Sequence, residues 1–181
     1  MKNVTCACLF VCGLMAAVVA SSLFAQGTSP GLAKELAATW DRAATDILDV
    51  AAAMPEEKYD FKPVPEVQTF RDQLVHLAGV VQRFNDAAKG TKSEAAHHTM
   101  TKADVIAHLK QTFQTGKEMF TSLTDAQMLE QVKFPVGPDR MVTRYGFWLG
   151  PLYQVRNHHG QLVVYLRLNG IVPPTTARRP G

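Results

Sequence analysis

In four long segments of this chain, apolar residues recur at every third or fourth position, and a glycine or proline bounds most of them. That interval places the apolar side chains on one face of a helix. In the first segment Leu32, Leu36, Trp40, Ala43, Ile47, Ala51 and Met54 keep the spacing, and Pro55 ends it. Ser29-Pro30 ahead of it reads as an N-cap followed by a proline in the first turn. The second segment starts at Thr69, with Asp72 as capping partner, runs through Phe70, Leu74, Leu77, Val81, Phe84 and Ala88, and closes at Gly90. The third starts at Thr101, with Asp104 in its first turn, and buries Val105, Leu109, Phe113 and Phe120. Thr124-Asp125-Ala126-Gln127 reads as a further capping box, and Pro135-Val136-Gly137-Pro138 as a turn. The fourth runs from near Thr143 to Leu168, with Gly150-Pro151 expected to kink or divide it. Asn169-Gly170 stops it and Pro173-Pro174 bars a restart. No segment alternates convincingly with period two, and no repeat recurs at a fixed period. Four such helices with alternating connections predict an all-α four-helix bundle around one core.

Two stretches lie outside that pattern. Tyr59 to Glu66 carries Pro63 and Pro65, which forbid a helix, and Tyr59 and Phe61 anchor it as an ordered loop. Residues 1–25 stand apart altogether. Lys2 precedes an unbroken run of apolar and small residues from Cys6 to Ala20, and Ser21-Ser22-Leu23-Phe24-Ala25 offers a cut before Gln26. That is the layout of a cleavable signal peptide. The alternative is an uncleaved anchor, for which the apolar run is short. The expected division is therefore a signal peptide over 1–25 and a single domain over 26–181, in a protein exported to the periplasm or beyond the cell.

Composition narrows the chemistry. The three cysteines, Cys6, Cys8 and Cys12, all lie in the leader, so the expected mature chain has no thiol, disulfide or cysteine metal site. Such a chain relies on its core, which about 155 residues can supply. Among charged residues the leader carries Lys2 alone, leaving 18 basic against 16 acidic residues, a net charge of +2. That balance argues for neither a nucleic acid nor a membrane as partner of the mature protein. No Ser-His-Asp signature, Gly-rich phosphate loop or dinucleotide fingerprint is present, so no organic cofactor is indicated.

The residues that could carry chemistry are histidines. With Leu162 at zero on the wheel of the fourth helix, Leu152, Val155, Val163 and Leu166 fall within about +20° to +100° and face the core. Gln154, His158, Gln161 and Tyr165 form a polar stripe on one shoulder of that arc. Gln154 and His158, at i and i+4, lie about 5–6 Å apart at Cβ, a spacing that suits two ligands of one metal ion. His76 sits at the edge of the second helix's apolar seam, with Gly79 leaving room beside it. His159 falls inside the apolar arc and reads as a packing or hydrogen-bonding residue. His97 and His98 read as solvated, and His108 has no partner at metal spacing. Asp72, one turn before His76, is placed to orient its ring. Gln161 and Arg167 are placed to brace the site or the helix ends.

Leu74-Val75-His76-Leu77-Ala78-Gly79 and His158-His159-Gly160-Gln161-Leu162-Val163-Val164-Tyr165-Leu166-Arg167 resemble the DinB family of metal-binding four-helix bundles. Met54-Pro55-Glu56-Glu57-Lys58-Tyr59-Asp60-Phe61-Lys62-Pro63 resembles that family's first inter-helix loop. The resemblance spans essentially the whole mature chain. It implies a divalent metal, zinc or nickel, held by one histidine on the second helix and two at i, i+4 on the fourth. His76 matches the first of these and His158 the last. The middle ligand falls on Gln154, a neutral and weaker donor than imidazole. Related members transfer thiol cofactors such as bacillithiol or mycothiol. The resemblance also points to a homodimer, although no exposed stripe in the sequence marks its interface.

Two functions follow from different classes. One is a metal-dependent hydrolase or transferase acting on a small molecule, with the hydrolase better suited to an exported protein. The other is a non-catalytic bundle with a degenerate metal site that binds a small molecule or a partner in the same cleft.

Overall fold

A computed structural model describes residues 31–93 and 100–178. Four long helices dominate: α1 (Leu32–Ala53), α2 (Phe70–Lys89), α3 (Lys102–Thr121) and, after the single turn α4 (Asp125–Met128), α5 (Arg144–Leu168). A short antiparallel hairpin, β1 (Gln131–Lys133) and β2 (Met141–Thr143), separates α4 from α5, and one further turn, α6 (Pro174–Ala177), follows. Helix α1 packs on α3 and α5, and α2 packs on the same two helices. The ring order is therefore α1, α3, α2, α5, with α1 and α2 facing each other diagonally.

The connection from α1 to α2 therefore crosses the bundle diagonally. Its loop is held at both ends. Tyr59 is fully buried, and its hydroxyl donates to the Ala51 carbonyl at 2.7 Å. The N–H groups of Phe70 and Arg71 return to the carbonyls of Phe61 and Tyr59. Phe61 meets the Tyr165 ring edge-on, and the Tyr165 hydroxyl donates to the Gln68 carbonyl.

The helices form where the caps and apolar seams dictate. Thr101 with Asp104 and Thr124 with Gln127 make reciprocal capping boxes, while the Thr69 hydroxyl accepts from the Asp72 N–H. Gly90 closes α2 in the left-handed region at φ 73°, where a side chain would be strained. Of the expected α2 seam, Ala88 alone is exposed. Trp40 lies at the centre, with Phe113, Phe120 and Trp148 meeting it edge-on at 5.5–6.0 Å, and its indole N–H donates to the Phe113 carbonyl.

Four expectations change. The hairpin went unread because each strand has three residues, too few to show alternation; its register pairs Val132 with Val142. Helix α5 runs unbroken through Pro151. Pro174 stands at the first helical position of α6, where its missing N–H costs nothing, so the prolines open a turn instead of preventing one. At α1 the Asp125 carboxylate takes the Leu32 N–H at 2.8 Å. The expected cap, Ser29-Pro30, lies outside the described residues, as do the leader and His97 and His98. No described helix is long and apolar enough to cross a membrane. Three exposed apolar side chains, Tyr153, Val164 and Leu168, do fall along one line of α5.

Candidate metal centre

Helices α2 and α5 bring His76 and His158 into contact, with ring centroids 5.2 Å apart and planes tilted by 53°. His158 is buried, at 7% exposure, while His76 stands at the exposed edge of its helix. The wheel reading of α5 holds for the core arc, since Leu152, Val155, Leu162 and Leu166 are buried. The polar shoulder divides: His158 and Tyr165 are buried, whereas Gln154 and Gln161 are exposed. Burial, and then the neighbouring His76, holds the His158 imidazole below its ordinary pKa, so the neutral ring is favoured.

The tautomer of that ring follows from a residue the sequence reading missed. Gln73, one turn before His76 and buried at 6% exposure, places its Oε1 2.5 Å from His158 Nδ1. A carbonyl oxygen only accepts, so Nδ1 carries the proton and Nε2 keeps the lone pair. Gln73 in turn donates through Nε2 to Gln161 Oε1 at 2.9 Å, and Gln161 Nε2 lies 3.4 Å from Asn157 Oδ1. This relay gives Gln161 the bracing role expected of it. It is also the arrangement that fixes metal-ligating histidines, whose second nitrogen is held by an outer partner. The available signal was a lone glutamine among Phe70, Leu74 and Leu77 on an apolar face.

The residues fit a metal in part. Two imidazoles sharing one tetrahedral zinc, with Zn–N bonds of about 2.0–2.1 Å, have ring centroids roughly 5 Å apart, which matches this pair. No group of three His, Cys, Asp or Glu side chains suited to a metal occurs among the described residues. A third protein donor would be Gln154, one turn before His158, which lines the same cleft as His76. The donors available to a cation there would be two imidazoles and one neutral amide oxygen.

That cleft, of about 520 Å³, runs between α2, α5 and the hairpin. Gly150 lines it, and its bare backbone lets two aromatic rings approach. A Cβ on Gly150 would stand 2.8 Å from two Phe84 ring atoms and 2.9 Å from Phe134. The other candidates lie elsewhere. Asp72 borders a separate depression with Glu56 and Arg71. His108 is half-buried, with its pKa lowered by burial. His159 is half-buried too, and its Nε2 has no hydrogen-bond partner among the described residues. Arg167 donates to Thr176 and ties the end of α5 to α6.

Residues 39–162 match the family model of the DinB superfamily. No curated protein matches the chain. Several solved structures share its fold, three of them as follows. A DinB-like protein from Bacillus subtilis is 17% identical, with a TM-score of 0.60 over 75% of this chain and 92% of its own. A DinB-like protein from Bacillus cereus is 11% identical, with a TM-score of 0.64 over 78% and 95%. A conserved protein from Enterococcus faecalis is 15% identical, with a TM-score of 0.61 over 77% and 98%.

Proposed function

The chain belongs to the DinB superfamily, and on that footing we propose that it is an exported bundle that holds one divalent cation between His76 and His158. Gln154 is the weaker third donor, and the reaction is a metal-dependent hydrolysis or group transfer on a small molecule in the adjoining cleft. The observation that carries this reading is the contact between two imidazoles from different helices, one of them held in a defined tautomer by Gln73. A divalent cation there supplies Lewis acidity, polarising a substrate oxygen or lowering the pKa of a bound water or thiol. The protein's own part is to hold His158 neutral by burial, to aim its Nε2 through the Gln73–Gln161 relay, and to keep water off the apolar wall made by Phe84 and Phe134. Export rests on the leader's sequence pattern. It favours hydrolysis, because low-molecular-weight thiols are mainly cytosolic.

Elemental analysis of the purified protein after incubation with zinc or nickel tests the site. The expected result is close to one equivalent, lost in both His76→Ala and His158→Ala. Less than about a tenth of an equivalent in the unmodified protein overturns the metal reading, and retention in both variants overturns the ligand assignment. Gln154→His, which supplies a third imidazole at i, i+4, is expected to tighten zinc binding by about tenfold or more.

A second reading has its own observation. Gln154 is exposed and neutral where a third imidazole would complete the site. A bundle that has lost its metal would still offer the cleft to a small molecule or partner. It would show no metal in the unmodified protein and a tight site only in Gln154→His.

A further inference from the structure

The walls of the cleft beside His76 carry two arginines, Arg83 from α2 and Arg140 from the hairpin, and no carboxylate lines it among the described residues. Elsewhere Arg71, Arg144, Arg156 and Arg178 are each paired with an acidic side chain. The acids nearest in sequence to the cleft arginines are already engaged. Asp86, one turn after Arg83, accepts from Gln82 at 2.7 Å and from Ser93 at 2.8 Å. Asp139, adjacent to Arg140, pairs with Lys133 at 3.0 Å. The Arg140 guanidinium lies 4.1 Å from the centre of the Phe134 ring. Stacking holds a guanidinium by its face and leaves the N–H edges free to donate. Beneath it, Phe84 and Phe134 meet at 5.4 Å and form an apolar floor against the bare backbone of Gly150. A concave apolar floor with charged donors on its walls is the usual form of a small-molecule site, and exposed guanidiniums such as those of Arg83 and Arg140 suit an oxyanion.

We propose that this cleft binds a small organic oxyanion, a carboxylate or phosphate on an apolar or aromatic body. Arg83 and Arg140 take the charge, and Phe84 and Phe134 take the body. The inference rests on the reading of the cleft as the substrate's place, and it does not depend on the metal. His76 lines the same cleft.

Calorimetric titration of the full, EDTA-treated protein at low salt tests it with three probes. Phenylacetate and phenyl phosphate carry the charge, and phenylacetamide is the uncharged control. At least one anion is expected to bind about tenfold or more tightly than the amide, weakening as salt is raised. Which of the two binds better assigns the anion as carboxylate or phosphate. The double variant Arg83→Gln, Arg140→Gln is expected to lose about tenfold or more of the anion's affinity. Equal binding of amide and anions, no measurable anion binding, or an unchanged double variant each overturns the proposal. If the double variant does not fold, the amide comparison and salt dependence decide it in the unmodified protein. Metal retention is read separately, so either proposal can fail alone.

Discussion

Replacing Gln73 by leucine should reveal how strongly the relay holds His158. The substitution roughly conserves volume, so little cavity is left. It removes one bond from the buried His158 Nδ1–H and one to Gln161. The two losses differ. Gln161 is exposed and its freed carbonyl turns to water, whereas the His158 ring is buried. Leaving that buried donor unpaired costs about 1–3 kcal/mol, and the apolar gain of the leucine offsets part of it. A net loss of about 1–2 kcal/mol is expected, or roughly 2–8 °C in melting temperature for a domain of this size. His158→Leu alone leaves the Gln73 amide short of a partner in the same buried place. With both replaced, two apolar side chains face each other and the penalty largely disappears. Urea denaturation of the two single variants and the double should therefore give a coupling of about 1 kcal/mol or more. Additivity within about 0.5 kcal/mol would refute the relay as the element that fixes His158. In the zinc-loaded protein, Gln73→Leu should also weaken metal binding by about 10–100-fold without removing a ligand.

Acidification should destabilise the fold. His108, His158 and His159 all have pKa values lowered by burial in the native state, so the unfolded chain binds protons first. Their contribution is complete above the unfolded value of about 6.5 and is lost as the pH falls from there towards the lowered native values, with a slope of at most about 1.4 kcal/mol per pH unit for each histidine. Melting temperatures at pH 7.5 and 5.5 check this, and a flat or rising trend on acidification contradicts it. Two glycines of α5 should respond in opposite directions to alanine. Gly160 is exposed, and a Cβ there meets nothing within 4 Å, so Gly160→Ala should stabilise by about 0.5–1 kcal/mol. Gly150→Ala drives a Cβ into Phe84 and Phe134, and overpacking of about 1–3 kcal/mol should outweigh the helix gain. Thermal melts of the pair separate these outcomes, and stabilisation of both would show that the rings yield freely.

The helices were legible because their determinants are local. The three-four apolar spacing, the Thr101–Asp104 and Thr124–Gln127 boxes and the left-handed Gly90 each act within a few residues of chain. Tyr59 and Phe61 were legible as loop anchors for a related reason, since aromatic side chains between prolines have little to do except pack. The wheel also placed His158 on the shoulder of a buried arc. What it could not supply was the rotation of α5 about its axis relative to α2. That rotation makes His158 buried and Gln154 exposed, and it is set by packing between helices distant in sequence.

The same limit hid the rest of the site. Gln73 reads as one polar residue on an apolar face until α5 is laid beside it. The hairpin's strands are too short to declare themselves, because pairing, not sequence period, defines them. Yet the hairpin brings Arg140 and Phe134 to the cleft, opposite Arg83 from a helix more than fifty positions earlier. Pro151 was expected to kink or divide α5, and the helix is not divided there. Taken alone, then, the sequence determined the all-helical class, the helix ends and the two histidines worth comparing. Only the tertiary structure decided that their rings meet, which nitrogen is free and which charges surround the space beside them. Those properties arise between segments, where no local pattern can encode them.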